Sequence, residues 1–207
     1  MRLDRLRVVA TLILPLLALA VGGCAFDRDV REGHDKLQGD ERASDLEVLG
    51  AVLAALPGVQ SNKYLVISSK SRALTIEAGW VKDQLEAVGR PVPTDLADLI
   101  VSYEARNAQS RSLAISESAS IRLADSDYLA RMFIGDVIGG WKRFWSRYPG
   151  ADAMVELSLP GYSPSGAWAI MSYSASRGSI NGDFVAVLLS HREGGWVVEW
   201  SQILFES

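Results

Sequence analysis

The sequence predicts an α+β domain across residues 44–207, with helices packed on a C-terminal antiparallel four-stranded meander. Three observations carry that expectation. Apolar residues recur at helical spacing between Leu46 and Tyr148, the period shortens to alternation between Ala153 and Phe205, and turns rich in Gly and Pro divide the alternating runs.

The first helix opens at Ser44. Ser44-Asp45-Leu46-Glu47 has the spacing of a capping box, in which the serine oxygen accepts a backbone N–H and the glutamate reaches back across the turn. Leu46, Leu49, Leu53 and Leu56 then share a face, and Pro57-Gly58 ends the helix. Tyr64 to Ser68 reads as a short buried strand. A second helix runs from near Trp80 to Val88, with Trp80, Val81, Leu85 and Val88 inward and Gly89 stopping it. Thr94 or Asp95 caps a third, which Leu96, Leu99, Ile100 and Tyr103 carry to Asn107; the link Arg90-Pro91-Val92-Pro93 keeps these two helices apart.

Two Ser-rich strands are expected next, Ser112 to Ser116 and Ser120 to Leu123. Asp125 to Arg147 reads as two helical pieces separated near Gly135 or Gly139-Gly140. Trp141, Phe144, Trp145 and Tyr148 lie on one side of the second piece, and rings that bury ~150–250 Å² each read as core rather than as a ligand-stacking platform. Four strands close the chain: Met154 to Leu159, Ala167 to Ser174, Phe184 to Ser190 and Gly195 to Phe205. Tyr162 to Gly166 supplies the first reversal and Arg192-Glu193-Gly194-Gly195 a compact hairpin. Val155, Leu157 and Leu159 alternate with Glu156 and Ser158, and Trp196, Val198 and Trp200 alternate with Val197 and Glu199. Such a sheet has unequal faces, one of them covered by the helices. The same order of elements also admits a curved sheet wrapped around a helix, as in folds of the cystatin or nuclear-transport-factor type, which by itself leaves function open.

Residues 1–43 follow another pattern. Arg2, Arg5 and Arg7 precede an apolar run from Val8 to Val21, and Gly22-Gly23-Cys24 follows with the only cysteine of the chain. A bilayer core needs about 20 helical residues, so this run is too short to span and suits a signal h-region. The order of features resembles the signal peptide of bacterial lipoprotein precursors, with Val21 where leucine is usual. The resemblance implies that the Cys24 sulfur receives a diacylglyceryl group, that cleavage falls between Gly23 and Cys24, and that the new amino group of Cys24 is acylated. Several acyl chains, at ~0.8 kcal/mol per buried CH₂, hold a protein on a bilayer firmly. Ala25, where aspartate would retain the protein in the inner membrane, implies by the sorting rule of that family an outer-membrane anchor facing the periplasm.

Ala25 to Ala43 alternates charges of both signs and has almost nothing apolar after Phe26. It reads as a tether with a reach of ~25 Å, and His34 within it as solvated. The expected organisation is a cleaved leader at 1–23, a lipidated cysteine and tether at 24–43, and one α+β domain at 44–207. Loss of the leader removes Arg2, Arg5, Arg7 and Asp4, which takes the basic residues from 21 to 18 and the acidic ones from 25 to 24, a net charge of −6. That balance argues against nucleic acid as a partner. With Cys24 acylated, no thiol remains for a disulfide.

The C-terminal half also resembles a recurrent module of uncharacterised bacterial secreted proteins and lipoproteins. The residues that carry this are Gly140-Trp141-Lys142-Arg143-Phe144, Tyr148-Pro149-Gly150, Leu157 to Ser163, Ala169-Ile170, the Arg177 to Asp183 loop, Val187-Leu188-Leu189 and Gly195-Trp196-Val197-Val198. The strand at Tyr64 to Ser68 and the Arg106-Asn107 helix end fit its longer form. Members often carry two cysteines in the glycine-bearing loop, and Arg177-Gly178-Ser179-Ile180-Asn181-Gly182 has none, so thiol chemistry does not transfer. The resemblance implies no reaction.

The sequence offers little catalytic equipment. A Ser-His-Asp mechanism needs a histidine held by a carboxylate and facing a serine; only His191 lies in the domain, at a hairpin end, and no G-x-S-x-G precedes it. Two distant histidines do not make a zinc site. There is no Walker loop or dinucleotide fingerprint, and Asn181-Gly182-Asp183 lacks the ladder of a calcium loop and reads as a turn. No metal or cofactor is expected. Arg177, Asn181, Asp183 and His191 are the candidate ligand or partner surface. The expected function is non-catalytic, either binding of an envelope protein or a small ligand or a structural part in the envelope, by a protein held to the lipid bilayer through Cys24. The alternative is an envelope hydrolase whose site is assembled from dispersed Ser, Tyr, Asp and Glu residues, with Glu193 and Glu199 as an example of paired carboxylates.

Overall fold

A computed structural model describes residues 44–56 and 63–206 of the 207-residue chain, so the expectations for the leader, for Gly23 and Cys24, for His34 and for Pro57-Gly58 lie outside the described residues. Among the described residues the elements run α1 (44–55), β1 (Tyr64–Ser68), α2 (Ala78–Ala87), α3 (Leu96–Asn107), β2 (Ile121–Ala124), α4 (Ser126–Met132), α5 (Val137–Arg147), β3 (Ala151–Leu157), β4 (Gly161–Tyr162), β5 (Trp168–Gly178), β6 (Asn181–Arg192) and β7 (Gly195–Glu206). The class is α+β.

The seven strands form one mixed sheet in the order β2-β1-β3-β5-β6-β7, with β4 paired to β5. The four-stranded meander is present as β3-β5-β6-β7, antiparallel throughout. The sequence did not reveal its extension: β1 pairs in parallel with β3 on one side and with β2 on the other. Parallel neighbours need long crossovers, and the chain provides them, through α2 and α3 between β1 and β2, and through α4 and α5 between β2 and β3. The expected strand from Ser112 to Ser116 is reduced to a single bridge between Ser112 and Lys70.

Helices cover both faces of the sheet, not one. On the first face α1 contributes Val48, Leu49, Val52 and Leu53, which pack with Leu65, Ile67, Val155, Leu157, Met171 and Val187. On the second, α2 and α3 supply Val81, Leu85, Leu99, Ile100 and Tyr103 against Ile170, Ala186, Leu188 and Trp200 over the antiparallel half. The parallel half of that second face is covered by Leu129 and Met132 of α4 with Trp141 and Phe144 of α5, against Val66. The apolar stripe of α3 is the expected one, and all four of its predicted core residues are buried.

Three details differ from the sequence reading. The buried side of α1 is turned: Asp45 is inside and Leu46 is exposed, because Asp45 is held by Arg106 and Tyr162. Ser44 is itself helical, and what precedes it lies outside the described residues. Val88 is exposed at the C-cap of α2, where Gly89 (φ +67°) ends the helix as expected. Trp200 does not share a face with Trp196 and Val198. Leu189 pairs with Val198 while its neighbour Leu188 pairs with Trp200, so Glu199 is the extra residue of a bulge, and the bulge carries Trp200 across to α2, where its ring meets Trp80 edge-on at 5.7 Å.

Candidate functional site

The break between α4 and α5 builds a broad concave surface. Asp125 opens α4 by accepting the Tyr128 N–H at 2.7 Å, and Asp136 opens α5 by accepting the Gly139 N–H at 2.9 Å. Between them the chain reverses at Gly135 (φ +76°), so the break falls at the first of the two positions the sequence offered. Gly139 and Gly140 lie inside α5. A Cβ on Gly140 would stand 2.4 Å from the Phe133 ring, and its absence lets α5 close on the end of α4. The aromatic side of α5 is core, with Trp141 and Phe144 buried and Trp145 stacked on Trp141 at 5.6 Å.

On the outer side the two helices leave a groove of about 650 Å³, with Tyr128, Arg131 and Met132 on one wall and Lys142, Arg143, Ser146 and Arg147 on the other. Arg143 is structural as well as cationic: its Nε donates to the Met132 carbonyl at 2.9 Å, which satisfies an orphan acceptor at the end of α4 where the helix dipole is negative. Arg147 lies over the Tyr148 ring at 5.9 Å. Burial raises the Tyr148 hydroxyl above its ordinary pKa, opposed by the Arg147 charge, so it stays protonated at neutral pH. Four cationic heads surround an apolar floor, and guanidinium and ammonium donors are the groups that can match phosphate or carboxylate oxygens.

The residues singled out from sequence fall at opposite ends of β6. Arg177 and Asp183 meet across the β5–β6 hairpin at 3.2 Å, and Arg177 Nε also lies 3.5 Å from Asp152. Asn181 closes the same hairpin, paired with Gly178. These three are brought together. His191 stands eight residues further along the strand from Asp183, about 27 Å away at ~3.4 Å per residue. There its ring lies against Trp196 at 4.9 Å, beside a hollow of about 500 Å³ that Glu47 and Ala51 of α1 complete.

Ser190 and Glu199 form a tight pair next to His191, and the geometry shows what it can do. The bulge turns Glu199 onto the face of Ser190, whose hydroxyl donates to it, while Arg192 pairs with the same carboxylate and Arg90 lies 4.0 Å from it. The Ser190 hydrogen bond holds the Glu199 carboxyl below its ordinary pKa, with the Arg192 and Arg90 charges adding to the effect and partial burial opposing it. A stabilised carboxylate of this kind is a weak base. His191 follows Ser190 directly in a strand, so its side chain leaves from the other face, against Trp196. The serine and the histidine therefore do not form a nucleophile and base pair. Glu193 sits in the hairpin turn and Glu199 in the bulge.

Sequence reasoning missed the α4–α5 groove, although it placed both helical pieces. Among the described residues no three His, Cys, Asp or Glu side chains converge to hold a metal ion, and no helix is long and apolar enough to cross a membrane. No family model, curated protein or solved structure matches the chain.

Proposed function

We propose that the protein is a lipid-anchored component of a bacterial cell envelope, held by acylated Cys24 at the periplasmic side of the outer membrane, and that its folded domain acts by binding. One observation carries the reading: a basic start, a short apolar run and two small residues lead directly into the sole cysteine of the chain. Charged residues 25–43 then separate that cysteine from the α+β domain. The binding half of the reading draws support from the cationic groove between α4 and α5, whose four basic side chains surround an apolar floor.

Mass spectrometry of the mature protein purified from membranes tests the anchor. The expected first residue is Cys24, carrying a diacylglyceryl thioether and an amide-linked acyl chain. An intact leader, or an unmodified thiol at Cys24, would overturn it. Cys24→Ser is expected to leave the leader uncleaved and the product unacylated.

A further inference from the structure

We infer that the α4–α5 corner is a membrane-docking surface that inserts an apolar tip into an anionic phospholipid leaflet and seats lipid phosphates in the groove behind it. The inference deepens the binding role proposed above by naming the partner. Three large apolar residues stand out at the corner: Ile134 is 73% exposed, Val137 54% and Ile138 65%. They lie within five consecutive residues where the chain turns between two helices. The inner side of α5 is filled by Trp141 and Phe144, so Ile138 on the outer side groups with Ile134 and Val137 as an apolar cluster of the kind that marks an interaction surface.

The charges around the tip select the partner. Ile138, Lys142 and Ser146 fall at intervals of four on α5 and so form one row, with Arg143 and Arg147 forming the next. Arg131 faces them from α4 across the groove. From residue 137 to residue 147 the chain carries three cations and no carboxylate, in a protein whose net charge is −4. Nearby acids are already engaged: Asp125 and Asp136 cap the helices, and Asp127 pairs with Lys70 at 3.0 Å. Among the described residues no ion pair holds Arg131, Lys142 or Arg147. An apolar tip rimmed by cations is the arrangement that partitions to the headgroup boundary, where each basic side chain near an anionic surface strengthens attachment about fivefold. A lipid anchor would keep this corner within reach of the bilayer and make the second attachment intramolecular.

The test uses the membrane-extracted full chain with Ile138→Cys, whose thiol is the sole free one once Cys24 is acylated, labelled with an environment-sensitive fluorophore. Reconstituted into vesicles containing phosphatidylglycerol, this label is expected to shift to the blue and be quenched by nitroxide-bearing lipids. In vesicles of phosphatidylcholine alone, both signals should fall sharply. A label at Val101→Cys, exposed on α3, should report water in both. Adding Arg131→Gln and Lys142→Gln should weaken docking of the Ile138→Cys protein about thirtyfold, with the fold intact by circular dichroism. Equal quenching at the two positions, no quenching at position 138, or quenching indifferent to phosphatidylglycerol would overturn the inference. So would a blue shift of the label at position 138 on adding an acidic peptide in the absence of lipid, which would mark the groove as a protein site. If Cys24 proves unmodified, the anchor reading fails separately, and Cys24→Ser with the same labels still decides the docking.

Discussion

Arg106 grips Asp45 through two parallel hydrogen bonds of 2.9 Å, one from each terminal nitrogen of its guanidinium, and so ties the end of α3 to the start of α1. The Tyr162 hydroxyl donates to the same carboxylate at 2.8 Å, and the guanidinium lies 5.0 Å above the Tyr162 ring. Burial, with the Asp45 charge adding to it, pushes the Tyr162 hydroxyl far above its ordinary pKa, so it remains a donor at every pH the fold survives. Removing either side chain breaks a doubly hydrogen-bonded ion pair in a site where both are mostly shielded.

Asp45→Ala is therefore expected to cost about 3 kcal/mol, and Arg106→Ala about the same. The double variant should cost clearly less than the sum of the two, which denaturant unfolding in a double-mutant cycle measures directly. Simple additivity would show that the pair does not couple α1 to α3.

Gly161→Ala should be strongly destabilising. A Cβ at Gly161 would stand 2.4 Å from both N and Cα of Tyr103, and neither backbone atom can move without shifting α3. The expected loss is about 3 kcal/mol, seen as a lower urea midpoint at constant slope. Gly50→Ala is the contrast. Nothing lies within 4 Å of its Cβ position in α1, so the substitution should raise stability by about 0.5–1 kcal/mol through helix propensity.

Tyr103→Phe tests the polar core under the same contact. The hydroxyl donates to the Leu74 carbonyl at 2.7 Å and lies 2.7 Å from Ser172 Oγ, and burial holds it protonated by raising its pKa. Without it these two groups lose a partner in a dry site, at an expected cost of about 1–3 kcal/mol by thermal denaturation. The ring still fills its place, so the fold should persist.

Glu199 sets an acid limit. Its carboxyl has a lower pKa in the fold than in the unfolded chain, chiefly because Ser190 donates to it. The unfolded chain therefore takes up the proton first as pH drops. The stabilisation is complete above the unfolded value of ~4.3 and is lost as pH falls through the lower folded value. Thermal unfolding from pH 6 to pH 2.5 should show a decline beginning near pH 4, and Glu199→Gln should flatten it. An unchanged profile in that variant would assign the acid sensitivity to other carboxylates.

Local pattern made much of this fold legible. Leu96, Leu99, Ile100 and Tyr103 define α3 because a buried helical face has a period that sequence displays. The meander is equally plain, since β3 buries alternate residues, β5 and β6 carry long consecutively buried runs, and the turns between strands carry Gly and Pro. The strand expected from Ser120 to Leu123 is present as Ile121–Ala124, but its parallel pairing with Tyr64–Ser68 was hidden because it joins segments more than fifty residues apart, and a half-exposed strand of four residues has too little pattern to name its partner. Trp200 was placed on the wrong face because alternation assumes an uninterrupted ladder, and a bulge resets the count by one. The groove was missed for a related reason. Arg131 faces Lys142 and Arg147 only if the chain reverses at Gly135, and a break at Gly139-Gly140 would have sent the two helices elsewhere. Asp136, a good capping residue directly before the second piece, was the available signal.

The irregularities of β7 also bear on how the molecule behaves in a crowded compartment. Among the described residues this twelve-residue strand is the outer margin of the sheet, with Val197 and Ile203 more than 40% exposed. A flat margin of that length is a template on which a second chain can add strand upon strand. The ladder between β6 and β7 is interrupted twice, at Leu188/Leu189 and at Phe184/Val185, so the rim coils away from a straight row of donors and acceptors. The displacement that turns Glu199 toward Ser190 thus also discourages self-assembly into fibrils.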